Sequence, residues 1–296
     1  MTSRILITGA SGQLGQCLIT EASNFNGIQL IPLNQQQLNI TDDAQIVQCL
    51  QKIKPDIVIN CAAYTAVDKA EMHPTQAMAV NAIAVERLAH RCYEASVPLV
   101  QISTDYVFAG NQTQPYTELD NPQPINVYGC SKLAAEQALN ASPVQSVIVR
   151  TGWLYSEFAE NFVKKIMSLA KHRQSLNVVS DQFGTPTYAR HLAKTILILI
   201  QHPNFLLLAQ QKKLFHFTNN GVASWSELAQ RVVTAKNLNC SINPVTTFYY
   251  AKQVGGGAAR PAYTVLDCSN IETALGLHIA HWPDALHQCL QNCKWL

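Results

Sequence analysis

Short apolar runs recur through the first half of the chain, at Ile5–Ile7, Ile28–Ile31, Asp56–Asn60, Leu99–Ser103 and Ser146–Arg150. They are nearly continuous rather than alternating, the pattern of strands covered on both faces in a parallel sheet. Between them the apolar spacing turns helical. Asp42 to Lys54 carries Ile46, Val47 and Leu50, and Thr75 to Ala95 carries Met78, Ala82, Val85, Leu88 and Ala89. This strand–helix alternation predicts an α/β fold with a doubly wound parallel sheet and right-handed crossovers. Beyond about residue 150 the regularity loosens. Helices are expected at 160–172, 188–201 and 224–237, with Pro- and Gly-rich loops at 180–187 and 253–261.

Composition narrows the class. With 296 residues, 48% of them apolar, the chain can build one large α/β core and a smaller lobe. A net charge of +2 and the lack of a basic run argue against a nucleic-acid partner. The most lipid-like stretch, Thr195–Ile200 followed by Phe205–Leu208, is interrupted by His202 and Pro203. Neither part approaches the roughly 20 residues of a membrane span, so a buried helix is expected and no membrane partner. The N-terminus enters the first apolar run directly, without the features of a secretory signal. Nine scattered cysteines, an odd number, then read as reduced thiols of a cytoplasmic protein. Cys289 and Cys293, with His287 nearby, lack a second ligand pair and read as helix packing, so no metal is predicted.

The first run ends in Thr8-Gly-Ala-Ser-Gly-Gln-Leu-Gly15, a G-x-x-G-x-x-G turn entering a helical pattern. Glycines allow a tight turn and bring bare backbone to a pyrophosphate, and the N–H groups of the following helix face the phosphates. Gly9, Ser11, Gly12, Gln13 and Leu14 are therefore candidate dinucleotide-binding residues, and Gly15 would let the helix pack closely on the strand. The second run should end near Leu33-Asn34. An NAD-selective site often places an acid there and an NADP site an arginine, but this chain has Asn34-Gln-Gln-Gln37. NADPH and NADH both stay open. Asn39 and Ile40 read either as adenine contacts or, with Thr41 and Asp42, as the cap of the next helix.

Tyr128-Gly-Cys-Ser-Lys132 is the most informative short stretch. On a helix, residues four apart share a face, and an ammonium beside a phenol is expected to lower the phenol's pKa and fit it for proton transfer. Lys132 would also hold the nicotinamide ribose. A Tyr-x-x-x-Lys spacing alone is common by chance. Here the fourth strand runs into Ser103-Thr-Asp-Tyr-Val-Phe108, which sets Thr104 and Asp105 at a strand end above the same nicotinamide. Tyr128, Lys132, Thr104 and Asp105 are the candidate catalytic residues. Residues 1–150 read as an NAD(P)-binding Rossmann domain to which later segments can return, and 151–296 mainly as a substrate-binding lobe at the strand ends.

The chain resembles the extended short-chain dehydrogenase/reductases and, within them, the dTDP-4-dehydrorhamnose reductases. The matching strings include Gly12-Gln-Leu-Gly15, Asn60-Cys-Ala-Ala-Tyr-Thr-Ala-Val-Asp-Lys-Ala-Glu71, Ser103–Phe108, Asn126–Glu136, Arg150-Thr-Gly-Trp-Leu-Tyr155, Asp181–Thr187 and Arg260-Pro261. The resemblance implies that Gly12, Gln13 and Leu14 line the pyrophosphate and that Ala62, Ala63 and Tyr64 flank the cofactor. It implies Thr104 and Asp105 on the sugar, Tyr128 as proton donor and Lys132 on the ribose. Trp153 would meet the deoxysugar, and the Asp181–Thr187 loop and Arg260 the nucleotide diphosphate. The implied cofactor is NADPH or NADH, and the implied partner a dTDP-linked 6-deoxy-4-ketohexose. A homodimer is compatible with it. Some relatives are described with a divalent metal between carboxylates at a dimer interface, and no such carboxylate set is evident here. Two other readings stand beside the reductase: an epimerase or dehydratase on the same scaffold, and a non-catalytic nicotinamide-binding subunit like the β subunit of methionine adenosyltransferase.

Overall fold

A computed structural model describes residues 2–293 of the chain. Its centre is a six-stranded sheet of β1 (Ser3–Thr8), β2 (Ile28–Pro32), β3 (Ile57–Asn60), β4 (Leu99–Thr104), β5 (Ser146–Thr151) and β6 (Leu214–His216). Across the sheet the order is β6-β5-β4-β3-β1-β2, parallel at every pairing. Successive side chains of a strand point to opposite faces. Ile5 and Ile7 accordingly join one buried cluster, and Leu6, between them, joins the other. The doubly wound α/β architecture and all five expected strands are present. The sixth strand is an addition to them: three residues following Lys212 and Lys213 carry no period to read.

The helices follow the expected positions closely. After β1 comes α1 (Gln13–Glu21), and α2 (Asp43–Ile53) precedes β3. Asp42 caps α2 by accepting a hydrogen bond from the Gln45 N–H at 3.2 Å. The helix expected over 75–95 is broken. A turn at Pro74–Met78 and a π-helical turn at Ala79–Ile83 precede α3 (Ala84–Glu94). Such π turns tend to occur where a side chain is put to use. Here Asn81 accepts from the Tyr64 N–H at 2.7 Å and donates to the Ser131 hydroxyl at 2.9 Å. The next helix is α4 (Val127–Ala141).

In the second half lie α5 (Phe162–Ala170), α6 (Ala189–Gln201), α7 (Trp225–Ala235) and α8 (Trp282–Asn292). The lipid-like stretch is α6, and its Leu192, Ile196, Leu197 and Leu199 are buried in the cluster that also holds Leu14, Cys17 and Leu18 of α1. Among the described residues no helix is long and apolar enough to cross a membrane. A separate cluster joins α5, α7 and α8 through Val163, Met167, Leu228, Val232, Leu286 and Cys289. Beside it, strand Ser175–Val179 pairs in parallel with Ser241–Val245. All nine cysteines are free, with Cys289 and Cys293 packed in this second cluster.

Candidate active site

The C-terminal ends of β1, β3, β4 and β5 open into a cleft of about 1090 Å³. Its floor on one side is the glycine turn. Gly9 has φ +65°, and a Cβ there would lie 2.7 Å from the Ala62 nitrogen, so only glycine lets the turn pass so close to the end of β3. At Gly15 a Cβ would come within 2.6 Å of Ala10 Cα, which explains the tight seating of α1 on the turn. Gly12 is the N-cap of α1 and supplies no side-chain cap, and the first turn carries no acid. The leading N–H groups and the positive end of the helix are left for an anion. These features fit a dinucleotide pyrophosphate.

Further along, Ala62, Ala63 and Tyr64 form the wall after β3, and Asn34, Asn39 and Ile40 the wall after β2. Asn34 shapes its own turn, its Oδ1 accepting from the Gln36 and Gln37 N–H groups at 3.0 and 3.1 Å. Gln35 and Gln36 also face the cleft. This end therefore presents neutral amides and no carboxylate that would repel a ribose phosphate.

The catalytic candidates converge at the end of β4, against the first turn of the helix that follows, α4. Asn126 caps α4 by accepting from the Gly129 N–H at 2.7 Å. A Cβ on Gly129 would sit 2.2 Å from the Tyr106 carbonyl oxygen, so this glycine lets the helix press onto the turn after β4. Tyr128 and Lys132, four apart, then share the face toward the strand end. The Tyr128 hydroxyl shares a hydrogen bond with Thr104. Lys132 Nζ donates to the Ile102 carbonyl at 2.6 Å, and Thr104 Oγ1 donates to Asp105 Oδ1 at 3.1 Å.

The electrostatics differ from the expectation drawn from the Tyr/Lys spacing. Burial pushes the Tyr128 phenol up to about 12, with the Thr104 hydrogen bond opposing the rise. The ammonium is held on the Ile102 carbonyl, and desolvation dominates the phenol. Burial also pushes Lys132 down to about 8, opposed by the Glu136 carboxylate one turn further on. A phenol that keeps its proton at neutral pH is loaded as an acid. The Asp105 carboxyl is pushed up to about 6 by burial, with hydrogen bonds from Thr264 and Thr104 opposing the rise. Gly152 makes room for the carboxyl: a Cβ there would lie 2.5 Å from Asp105 Cγ.

The far end of the cleft is aromatic. Trp153 follows β5 in a left-handed conformation, φ +49°, uncommon for a bulky side chain and a mark of an imposed position. Its indole stacks on Trp225 with ring centroids 3.5 Å apart and planes 2° apart. Trp225 is the first residue of α7, fixed by the Ser224/Glu227 capping box, and donates Nε1 to Gln182 Oε1 at 3.2 Å. Phe162 tilts against it at 4.6 Å. A Cβ on Gly184 would strike the Trp153 indole nitrogen at 2.4 Å.

The structure thus brings Gly9, Ser11, Gly12, Gln13, Leu14, Asn34, Asn39, Ile40, Ala62, Ala63, Tyr64, Thr104, Asp105, Tyr128, Lys132 and Trp153 to one cleft. Arg260 does not line it. Its guanidinium pairs with Asp68 at 2.8 Å. Trp225 lines the cleft and is absent from the residues that the sequence points to. The capping box Ser224-Trp-Ser-Glu227 marks it as a helix start, but nothing local points to Trp153.

The family model described as the RmlD substrate binding domain matches residues 3–295. The chain is 37% identical over 290 residues to the spore coat polysaccharide biosynthesis protein SpsK of Bacillus subtilis, covering 98% of each. It is 35% identical over 295 residues to the dTDP-4-dehydrorhamnose reductase of Aggregatibacter actinomycetemcomitans, covering 96% of this chain and 97% of that one. Among solved structures, the dTDP-4-dehydrorhamnose reductase of Bacillus anthracis in complex with NADP superposes with a TM-score of 0.90 at 37% identity, over 99% of this chain and 100% of the other. The UDP-glucose 4-epimerase of Thermus thermophilus shares the fold, with a TM-score of 0.82 at 15% identity over 99% of each chain.

Proposed function

The chain belongs to the RmlD substrate binding domain family, and from that premise we propose that it is an NAD(P)H-dependent dTDP-4-dehydrorhamnose reductase. It reduces the C4 ketone of dTDP-4-dehydro-L-rhamnose to dTDP-L-rhamnose. The observation that carries this reading is the convergence of Thr104, Tyr128 and Lys132 at the glycine-lined cleft.

The bound cofactor supplies a hydride to C4. Gly9, Ser11, Gly12, Gln13 and Leu14 hold its pyrophosphate, with Ala62, Ala63 and Tyr64 flanking it and Asn34, Asn39 and Ile40 toward the adenosine. Lys132 holds the ribose through the N–H groups not committed to Ile102. Tyr128 gives its proton to the oxygen that becomes the alcohol, and Thr104 steadies that oxygen as charge develops. One proton and one hydride are consumed per ketone. The enzyme lowers the barrier by alignment and by donors already in place. Asp105 and Trp153 bound the sugar, and Arg260 reaches the diphosphate by exchanging Asp68 for a phosphate oxygen. Residues 1–150 mainly serve the cofactor and 151–296 mainly the sugar. The reading includes a homodimer working in the cytoplasm, where its free thiols stay reduced.

An epimerase would leave no net oxidised cofactor, and a regulatory subunit would turn over nothing. A panel of nucleotide-linked sugars with NADPH and with NADH, followed at the nicotinamide absorbance band, tests this. Oxidation that depends on the dTDP-linked 4-keto-6-deoxy sugar supports the reductase. Binding of cofactor without oxidation on any sugar overturns it.

A further inference from the structure

A chain of buried hydrogen bonds crosses three neighbouring strands, β1, β3 and β4, beneath the cleft. Thr8 of β1 donates its hydroxyl to Asn60 Oδ1 at 2.5 Å, and Asn60 of β3 donates Nδ2 to Gln101 Oε1 at 2.7 Å. Gln101 of β4 donates Nε2 to the Ile102 carbonyl at 2.8 Å. That same carbonyl accepts the 2.6 Å bond from Lys132 Nζ, and a carbonyl oxygen has two lone pairs to serve both donors. Thr8 and Asn60 are 0% exposed and Gln101 is 1% exposed.

These polar side chains are buried in a sheet whose neighbouring positions are largely aliphatic, among them Ile7, Ile59 and Val100. Burying a polar group is costly unless it is paired, and a satisfied network holds a single geometry. Here the network ends on the atom that anchors the lysine. Its other end is Thr8, next to the glycine turn, and the Ala62 N–H lies 3.4 Å from the Thr8 hydroxyl and 3.3 Å from Asn60 Oδ1.

We propose that Gln101 is a positioning residue for Lys132: its carboxamide fixes the Ile102 carbonyl, which aims the ammonium at the cofactor ribose, and Asn60 and Thr8 lock that aim to the pyrophosphate turn. The inference rests on the cofactor site proposed above. It separates Gln101 from an ordinary packing residue, whose loss would loosen the sheet without acting through the lysine.

The test is a double-mutant cycle on NADPH binding, read by cofactor fluorescence across pH. Gln101→Met keeps the volume and removes both hydrogen bonds. The expected result is about tenfold weaker binding, the scale of coupling between neighbours in one network. The alkaline limit of binding should also move to lower pH, because a less anchored ammonium gives up its proton sooner. In a Lys132→Met background the same substitution should cost less than twofold. Equal losses in both backgrounds with an unmoved pH limit overturn the proposal. Should Gln101→Met fail to fold, Thr8→Val removes the far donor while keeping shape. A two- to threefold loss that vanishes in Lys132→Met then supports the coupling, and an equal loss in both backgrounds overturns it. Turnover of the keto-sugar by the wild type is recorded alongside. Wild type that binds NADPH and turns nothing over sinks the reductase reading but leaves the cycle readable; wild type that binds only NADH moves the cycle to NADH, and wild type that binds neither cofactor sinks both.

Discussion

The two walls of the cleft are built on different plans. On the cofactor wall the working groups stand at strand ends and on the first turns of helices, held by backbone geometry and short hydrogen bonds. Gly9 to Leu14 form one continuous turn, and Tyr128 and Lys132 are one helical turn apart. On the wall proposed for the sugar the surface is aromatic and assembled from segments far apart in sequence: Trp153 after β5 and Trp225 at the head of α7, with Gly184 of a two-residue strand packed against the Trp153 indole. On the proposed function the first wall aligns reacting atoms and charges, and the second supplies shape. The contrast implies that damage to the first should appear in turnover and damage to the second in sugar affinity.

The largest expected effect is on the first wall. Tyr128→Phe removes the proposed proton donor and should lower kcat by about 10²–10⁴-fold with little change in either KM. Steady-state kinetics with saturating NADPH checks this, and a large KM change with normal kcat would erase the contrast.

Next comes the weld that holds this wall. Glu136 and Arg150 form a buried ion pair at 2.6 Å, each side chain 3% exposed, and Ser103 donates to the same carboxylate. Glu136→Gln leaves the arginine without its counter-charge and should cost about 3–5 kcal/mol of stability, as for other broken buried pairs. Denaturant unfolding measures it. A loss below about 1 kcal/mol would show that the pair is dispensable to the wall.

On the second wall, Trp225→Ala removes the ring behind Trp153. A stacked pair is worth about 0.5–1.5 kcal/mol beyond its area, so KM for the keto-sugar should rise roughly three- to tenfold. NADPH binding should not change. Weaker NADPH binding in this variant would show that the two walls are not separable.

The smallest effect is the sharpest in assignment. Lys132 is pushed down to about 8 while Tyr128 is pushed up to about 12. NADPH binding and kcat/KM should therefore decline as pH rises through about 8, when the ammonium loses its charge while the phenol keeps its proton. Lys132→Arg, whose charge is permanent, should abolish that decline. A decline that persists in the arginine variant would assign it to another group.

What is legible in the sequence follows the same division. The five long strands and the helix carrying Tyr128 and Lys132 announce themselves by period and by local spacing. So does the glycine turn, because its chemistry lies within one short run of consecutive residues. Leu214–His216 escapes such a reading because three residues carry no period, and the Trp153–Trp225 stack escapes it because the two rings come from segments far apart in the chain. Arg260, expected on a diphosphate, stands on Asp68, a contact across 192 residues. The direction of the Tyr128 shift depends on how deeply the phenol is buried, which only the packed molecule reveals.

The most direct test of the central claim follows one atom. NADPH deuterated at the transferred position of nicotinamide C4 is mixed with the protein and dTDP-4-dehydro-L-rhamnose, and the sugar product is read by mass spectrometry and NMR. The expected product is dTDP-L-rhamnose with one deuterium, at sugar C4, and Tyr128→Phe should form almost none over the same time. Product without deuterium at C4, or undiminished transfer in Tyr128→Phe, would contradict that claim.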